Sequence, residues 1–230
     1  MLKKRKELAK QKVKKQDDLI TTYENALFWF ETNKKLITNV GIAVVVVVVG
    51  AWFFIYKTNQ NNEKAALEYA KIFSYYDNGQ YQIAMNGVPE RNIRGLQAIV
   101  NDYGSTEYGN IAQFYLGNCY FNLGEYDKAL KEFEASSVKS PILKASRLAG
   151  IAACDEVKGN FTDAAKSFEK AGKFSSEDPN APDYLVNAAR NYVKSGNKEQ
   201  AIELYKLIKK EYSSSSAARE AEKCLDELKG

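Results

Sequence analysis

The sequence predicts an all-α protein: a single transmembrane helix followed by a solenoid of paired helices. Two observations carry this. Leu36 to Tyr56 is 21 residues without a charge, and about 20 apolar residues in helical form cross the roughly 30 Å hydrocarbon core of a bilayer. After it, from Asn110, a pattern of small, aromatic and leucine positions recurs about every 35 residues, the interval of a helix–turn–helix unit. Composition agrees. There are only four prolines, and Ala, Lys, Glu, Leu and Tyr are abundant.

Residues 1–35 form a short basic segment. They hold ten Lys/Arg and five Asp/Glu, whereas the rest of the chain holds 23 basic and 24 acidic residues. The net charge of +4 therefore belongs to the tail, and the body lacks the basic bias of a nucleic-acid binder. Residues 1–16 read as a solvated charge run that stays on the cytoplasmic side. Contact with anionic lipid is a sharper alternative, worth about 1 kcal/mol per basic residue near the surface, and contact with ribosomal RNA is a third. Residues 17–33 read as an amphipathic helix, with Leu19, Ile20, Tyr23, Ala26, Leu27 and Phe30 on one face. It is expected to lie in the membrane interface, with docking on a membrane partner as the alternative.

The span itself, residues 36–56, contains six consecutive valines, Val44 to Val49. Valine favours strands, but strands seldom exceed eight residues, and a lone strand in lipid leaves its backbone unsatisfied. Trp29, Lys34 and Lys35 on one side and Trp52 and Tyr56 on the other are the expected membrane-interface residues. The positive-inside rule places the N-terminus in the cytoplasm and the body outside. The uncharged run is too long for a cleaved signal peptide, and no small-residue cleavage site follows it.

Residues 57–62, KTNQNN, read as a polar linker. A helix is expected from Glu63 to about Asp77, with Ala66, Leu67, Ala70, Ile72, Phe73 and Tyr76 inward. A segment from Tyr81 is broken at Gly87-Val88-Pro89, and another helix carries Ile93, Leu96, Ile99, Val100 and Tyr103. Then come Leu116, Gly117, Tyr120, Gly124, Tyr126, Ala129, Phe133 and Pro141. The second unit has Leu148, Ile151, Ala152, Gly159, Phe161, Ala164, Phe168 and Ala171, with Asp155 where an aromatic would stand. The third has Leu185, Ala188, Ala189, Tyr192, Gly196, Ala201, Tyr205 and Ile208. These positions resemble the tetratricopeptide repeat, whose helices A and B approach closely at small residues. The repeat domain is expected over 63–230: a degenerate unit at 63–109, repeats at about 110–143, 145–178 and 182–215, and a capping helix at 217–229.

Function classes narrow by exclusion. No histidine is present, which removes imidazole ligands and Ser-His or Cys-His pairs. No phosphate-cradling glycine motif occurs. Cys119, Cys154 and Cys224 are spaced too widely for zinc or redox motifs. Cys119 and Cys154 fall at one position of successive repeats, about 10 Å or more apart, beyond disulfide reach, so both read as small buried hydrophobes. No catalytic residue, metal site or cofactor is expected. Asp155/Glu156 and Glu177/Asp178 read as chance pairs on a charged surface.

Repeat solenoids bind through a concave face lined by helix A. The expected groove residues are Ile111, Phe114, Asn118, Phe121 and Asn122, then Glu156 with Ala149, Ala153 and Val157, then Arg190 and Lys194 with Asp183, Val186 and Val193. Phe114 and Phe121 are either the apolar anchors of the groove or part of the core. Arg190 and Lys194 would favour an acidic end of a bound peptide. Some tetratricopeptide proteins clamp the carboxylate tail of cytosolic chaperones with lysine at the position of Phe114, so the resemblance implies that this clamp is missing. The whole arrangement, with Phe30, Asn33 and Lys35 matching an F-x-x-N-x-K stretch before the span, resembles the YfgM family of bacterial inner-membrane proteins. That resemblance implies an ancillary subunit of the Sec translocon, with periplasmic repeats that bind translocon subunits, periplasmic chaperones or exported clients. A fixed subunit of a larger envelope machine, and an import-receptor arrangement with cytosolic repeats, remain the alternatives.

Overall fold

A computed structural model of the chain describes residues 21–174 and 177–229, with only the backbone of Lys229. The basic run 1–16, and residues 17–20 of the amphipathic helix, lie outside the described residues. The chain divides into two compact units, Met1–Lys57 and Thr58–Gly230.

In the first unit, helix α1 covers residues 21–32 and ends at a turn on Asn33. The Asn33 backbone N–H and side-chain amide both donate to the Trp29 carbonyl, at 3.0 and 2.8 Å. Helix α2 then runs from Lys34 to Asp77, long and apolar enough to cross a membrane. The valines are helical because propensity differences of under about 0.7 kcal/mol per residue are small beside a full set of internal backbone hydrogen bonds. Val44 to Val49 are 55–70% exposed.

Residues 57–62, expected as a linker, are helical instead. KTNQNN contains no Gly or Pro to stop the helix that precedes it. Asn62 also has a use there: its Oδ1 accepts the Tyr108 backbone N–H at 2.9 Å, so α2 caps the start of a later helix. Within the second unit the inward face of α2 is Ala65, Tyr69, Ile72, Phe73 and Tyr76, spaced three and four apart. Leu67 and Ala70 lie off that stripe and are exposed, Leu67 at 65%, contrary to expectation. Tyr115 packs among Tyr69, Phe73 and Tyr76, edge-on to the last two, with ring centroids 4.8–5.7 Å apart. Burial pushes the Tyr69 and Tyr76 hydroxyls well above the ordinary phenol range.

Helix α3 (Tyr81–Asn86) leads into a two-stranded hairpin, β1 (Gly87–Val88) and β2 (Ile93–Arg94), joined by a 3₁₀ turn over Pro89–Arg91. The strands are antiparallel, pairing Gly87 with Arg94 and Val88 with Ile93. Ile93, expected on a helix, thus lies in a strand. Gly95 packs so tightly under α3 that a Cβ there would sit 2.2 Å from the Met85 carbonyl oxygen. The following helix, α4, spans Leu96–Tyr103.

The regular array comes next: α5 (Glu107–Asn122) with α6 (Tyr126–Ala135), α7 (Pro141–Val157) with α8 (Phe161–Phe174), α9 (Ala181–Lys194) with α10 (Lys198–Glu211), and then α11 (Ser216–Lys229). Thr106 caps α5 by accepting the Gly109 N–H at 3.0 Å. Gly124, Gly159 and Gly196 end α5, α7 and α9 at the same place, with φ of 78, 82 and 85°. That left-handed turn closes each first helix at little steric cost only with glycine. Pro141 and Pro182 sit in first helical turns, where a missing N–H costs nothing.

Two core clusters run through this unit and meet on α7, which gives Cys154 to one and Ala149 and Ala152 to the other. Phe133 is 1% exposed and wedged between two glycines: a Cβ on Gly117 would lie 2.8 Å from its ring, and one on Gly150 2.7 Å. The architecture is the all-α paired-helix solenoid that the periodicity predicts.

Candidate functional site

Helices α5, α7 and α9 are the first helices of the three pairs. The residues expected to face a groove split into two groups. Phe114 is 5% exposed, against the Tyr115 and Phe133 rings at 5.1 and 5.9 Å, so it belongs to the core. The reason is its place one turn before Gly117, over the α6 interface. Ile111 packs half-buried on the same cluster, and Ala149 and Val186 are buried in the other. Phe121 is half-buried with its ring edge against Tyr126, centroids 5.3 Å apart.

The second group remains accessible. Asn122 is exposed and donates its side-chain amide to the Asn118 carbonyl at 2.8 Å. Val157 is 51% exposed. Glu156, Arg190 and Lys194 form a polar ladder between helices. Lys194 Nζ lies 2.5 Å from Glu156 Oε1, joining α9 to α7, and Arg190 lies 3.9 Å from Glu220, joining α9 to α11. Lys194 also sits over the Phe161 ring at 5.2 Å. Burial alone would raise the Glu156 carboxyl, but hydrogen bonds from Lys194 and Asn191 outweigh it and hold it below the usual carboxylate range. Arg190 and Lys194 are therefore each matched by a carboxylate and do not form an unopposed basic end. Accessible pairs of this kind contribute about 0–1 kcal/mol, so a ligand can displace them.

Beside this ladder lies a cavity of about 260 Å³, lined by Val193, Tyr205, Cys224 and Leu228, with Arg190, Lys194 and Glu227 at its edge. From the sequence, Tyr205, Cys224 and Leu228 belong to the core or the cap. Periodicity could not show that α9, α10 and α11 leave a gap between them. Burial, then the neighbouring Cys224, pushes the Tyr205 hydroxyl up.

Cys119 and Cys154 are buried free thiols, as their register predicts, and Cys224 is half-buried. Burial pushes the Cys119 thiol to about 12 and the Cys154 thiol to about 11. At pH 8 their thiolate fractions are on the order of one in a thousand or less. Iodoacetamide under native conditions is expected to label Cys224 ahead of both, which should react only after denaturant is added. Mass spectrometry of the labelled peptides checks this. Among the described residues no three His, Cys, Asp or Glu side chains cluster to hold a metal ion. Of the acidic pairs, Asp178 is buried and accepts the Asn180 N–H at 2.9 Å, a turn role.

Residues 28–172 match the family described as tetratricopeptide repeat-like domain, and residues 183–215 match the tetratricopeptide repeat. The chain belongs to the tetratricopeptide repeat-like domain family. The first match includes all of α2 and the pairs α5–α6 and α7–α8 to within two residues of the end of α8, and the second takes in nearly all of α9 and the whole of α10. No curated protein matches. Two solved structures of Podosopora anserina putative kinesin light chain nearly identical TPR-like repeats are similar in fold. One, a single-substitution form, has a TM-score of 0.51 at 16% identity, covering 73% of this chain and 94% of its own. The other has 0.48 at 18%, with the same coverage. Tetratricopeptide repeats are protein-interaction scaffolds, so the repeat array is a surface for binding other proteins.

Proposed function

We propose that this tetratricopeptide protein is a membrane-anchored, non-enzymatic adaptor. Its apolar helix anchors it in a bacterial inner membrane with the N-terminus in the cytoplasm, and its periplasmic repeats bind envelope proteins near the Sec translocon. The observation that carries the binding role is the face of α7, α9 and α11 built from displaceable ion pairs beside an apolar cavity. A partner side chain could fill that cavity while its polar groups exchange with the ladder. The anchor reading rests on the exposed apolar residues of α2 and on the basic tail, which also favours membrane lipids as a contact. The uncharged span followed by an array that matches the tetratricopeptide repeat supports an anchored adaptor over an enzyme.

The test is purification of the full-length protein in mild detergent, followed by mass spectrometry. Translocon, insertase or periplasmic chaperone subunits are the expected co-purifying species. Their loss from a Val193→Arg variant with an unchanged melting temperature would assign the binding to this face. Recovery of the wild type without any of them sinks the translocon role. Digestion of the repeats by a protease confined to the cytoplasmic side would overturn the topology and favour the import-receptor arrangement. A fixed ratio to one partner would favour a structural subunit over an adaptor with varied clients.

A further inference from the structure

A second surface lies where α6 hands over to α7. The end of α6, residues 136–139, the first half of α7 and the end of α8 line an open hollow of about 450 Å³. Four cations line it, Lys139, Lys144, Arg147 and Lys170, against one carboxylate, Glu134. An adjoining hollow shares Lys170 and Phe174 and adds Lys166 and Lys173. Lys139, Lys166 and Lys173 have carboxylates at 3.7, 3.9 and 2.6 Å, on Glu107, Asp163 and Glu169. Among the described residues none pairs Lys144, Arg147 or Lys170 with a carboxylate within 4 Å. Arg147 is held in the wall by donating to the Phe133 carbonyl at 3.1 Å. Phe174 stands at the rim, 42% exposed.

We infer that this cavity docks an acidic segment of a partner protein: an extended stretch with two or three Asp or Glu side chains and one apolar neighbour. Charge complementarity carries the choice. Three cations with no carboxylate within 4 Å share a hollow whose lining holds one carboxylate, Glu134, in a body whose basic and acidic residues as a whole balance, 23 against 24 after residue 35. Shape excludes the alternatives. Its volume falls within the range of about 300–1,000 Å³ typical of ligand clefts, and a flat bilayer surface would meet only its rim. Nucleic acid asks for a basic stripe along its backbone, not one pit. Phe174 gives the apolar contact at the rim. The residues that carry the inference, Lys144, Arg147, Lys170 and Phe174, are not those of the ion-pair ladder, so it stands whether or not that face binds.

The test uses the full-length protein in detergent and a fluorescein-labelled octapeptide of Glu and Asp with one central Leu. A Gln/Asn version of the peptide is the control. Fluorescence anisotropy at low salt is expected to show saturable binding of the acidic peptide alone. K144E/K170E is expected to weaken it about tenfold or more, with a shallower salt dependence. The basic tail is common to both proteins, so the difference isolates the cavity. K144Q/K170Q keeps side-chain size and is expected to weaken binding in the same direction, which covers the case in which charge reversal disturbs the fold. Absent binding, or equal binding by wild type and both variants, overturns the inference. Sedimentation of wild type but of neither variant with phosphatidylserine-containing vesicles, with peptide binding unchanged, would assign the patch to lipid and also overturn it.

Discussion

Phe133→Ala is expected to lower the melting temperature of the full-length protein in detergent by roughly 10–20 °C. Removing a buried phenylalanine costs about 3–5 kcal/mol, and each kcal/mol shifts a domain of 150–250 residues by about 2–4 °C. The site should fall at the upper end. Phe133 is 1% exposed and touches Phe114, and its ring occupies the space that Gly117 on α5 and Gly150 on α7 leave open. It therefore joins its own pair to the next one, and a cavity there loosens the cluster that runs from α2 to Cys154 on α7. The same geometry makes a sharper prediction. Gly117→Ala should gain about 1 kcal/mol of helix propensity, but its Cβ would meet the Phe133 ring at 2.8 Å, well inside van der Waals contact. In wild type it should be destabilising. In a Phe133→Ala background the clash is gone, and Gly117→Ala should raise the melting temperature. Thermal unfolding by circular dichroism of the four proteins measures this cycle. If Gly117→Ala has the same effect in both backgrounds, glycine is not there to admit the ring.

That pair also marks what the sequence made legible. Gly117, Ala129 and Phe133 were readable because a repeat places small and large residues at fixed offsets. Gly124, Gly159 and Gly196 were readable because a left-handed turn strongly prefers glycine. The degenerate N-terminal unit was harder. Nothing in KTNQNN signals whether the helix stops, because asparagine and glutamine are tolerated in a helix when a partner such as the Tyr108 N–H exists. The hairpin around Pro89 was hidden because each strand is two residues long, too short for alternation to register. The site was least legible. Helical position distinguishes the face of α5 that carries Asn118 and Asn122, but not the depth of Phe114, which neighbouring helices decide. The pairing of Lys194 with Glu156 joins residues 38 apart, and the cavity at Leu228 depends on how α11 ends the stack.

Replacing Val46 and Val47 by aspartate is expected to remove the protein from the membrane fraction that resists alkaline carbonate. A valine near a helix centre contributes about −0.3 kcal/mol or slightly more to insertion, and an aspartate costs about 2.5–3.5 kcal/mol, so the two changes oppose insertion by about 6 kcal/mol or more. Adjacent residues point about 100° apart on a helix, and like charges cannot pair to relieve each other. Leu67→Asp is the control. It lies on α2 beyond the apolar stretch and is 65% exposed, so it should leave the protein in the resistant fraction. The comparison separates two explanations of the uncovered valines. If α2 crosses the bilayer, high salt extracts neither wild type nor control, and only the double aspartate variant becomes soluble. If its apolar surface instead docks on a membrane-bound partner, carbonate should already release the wild type. That outcome would reassign α2 from anchor to interface, because at 55–70% exposure Val44 to Val49 need a cover of one kind or the other.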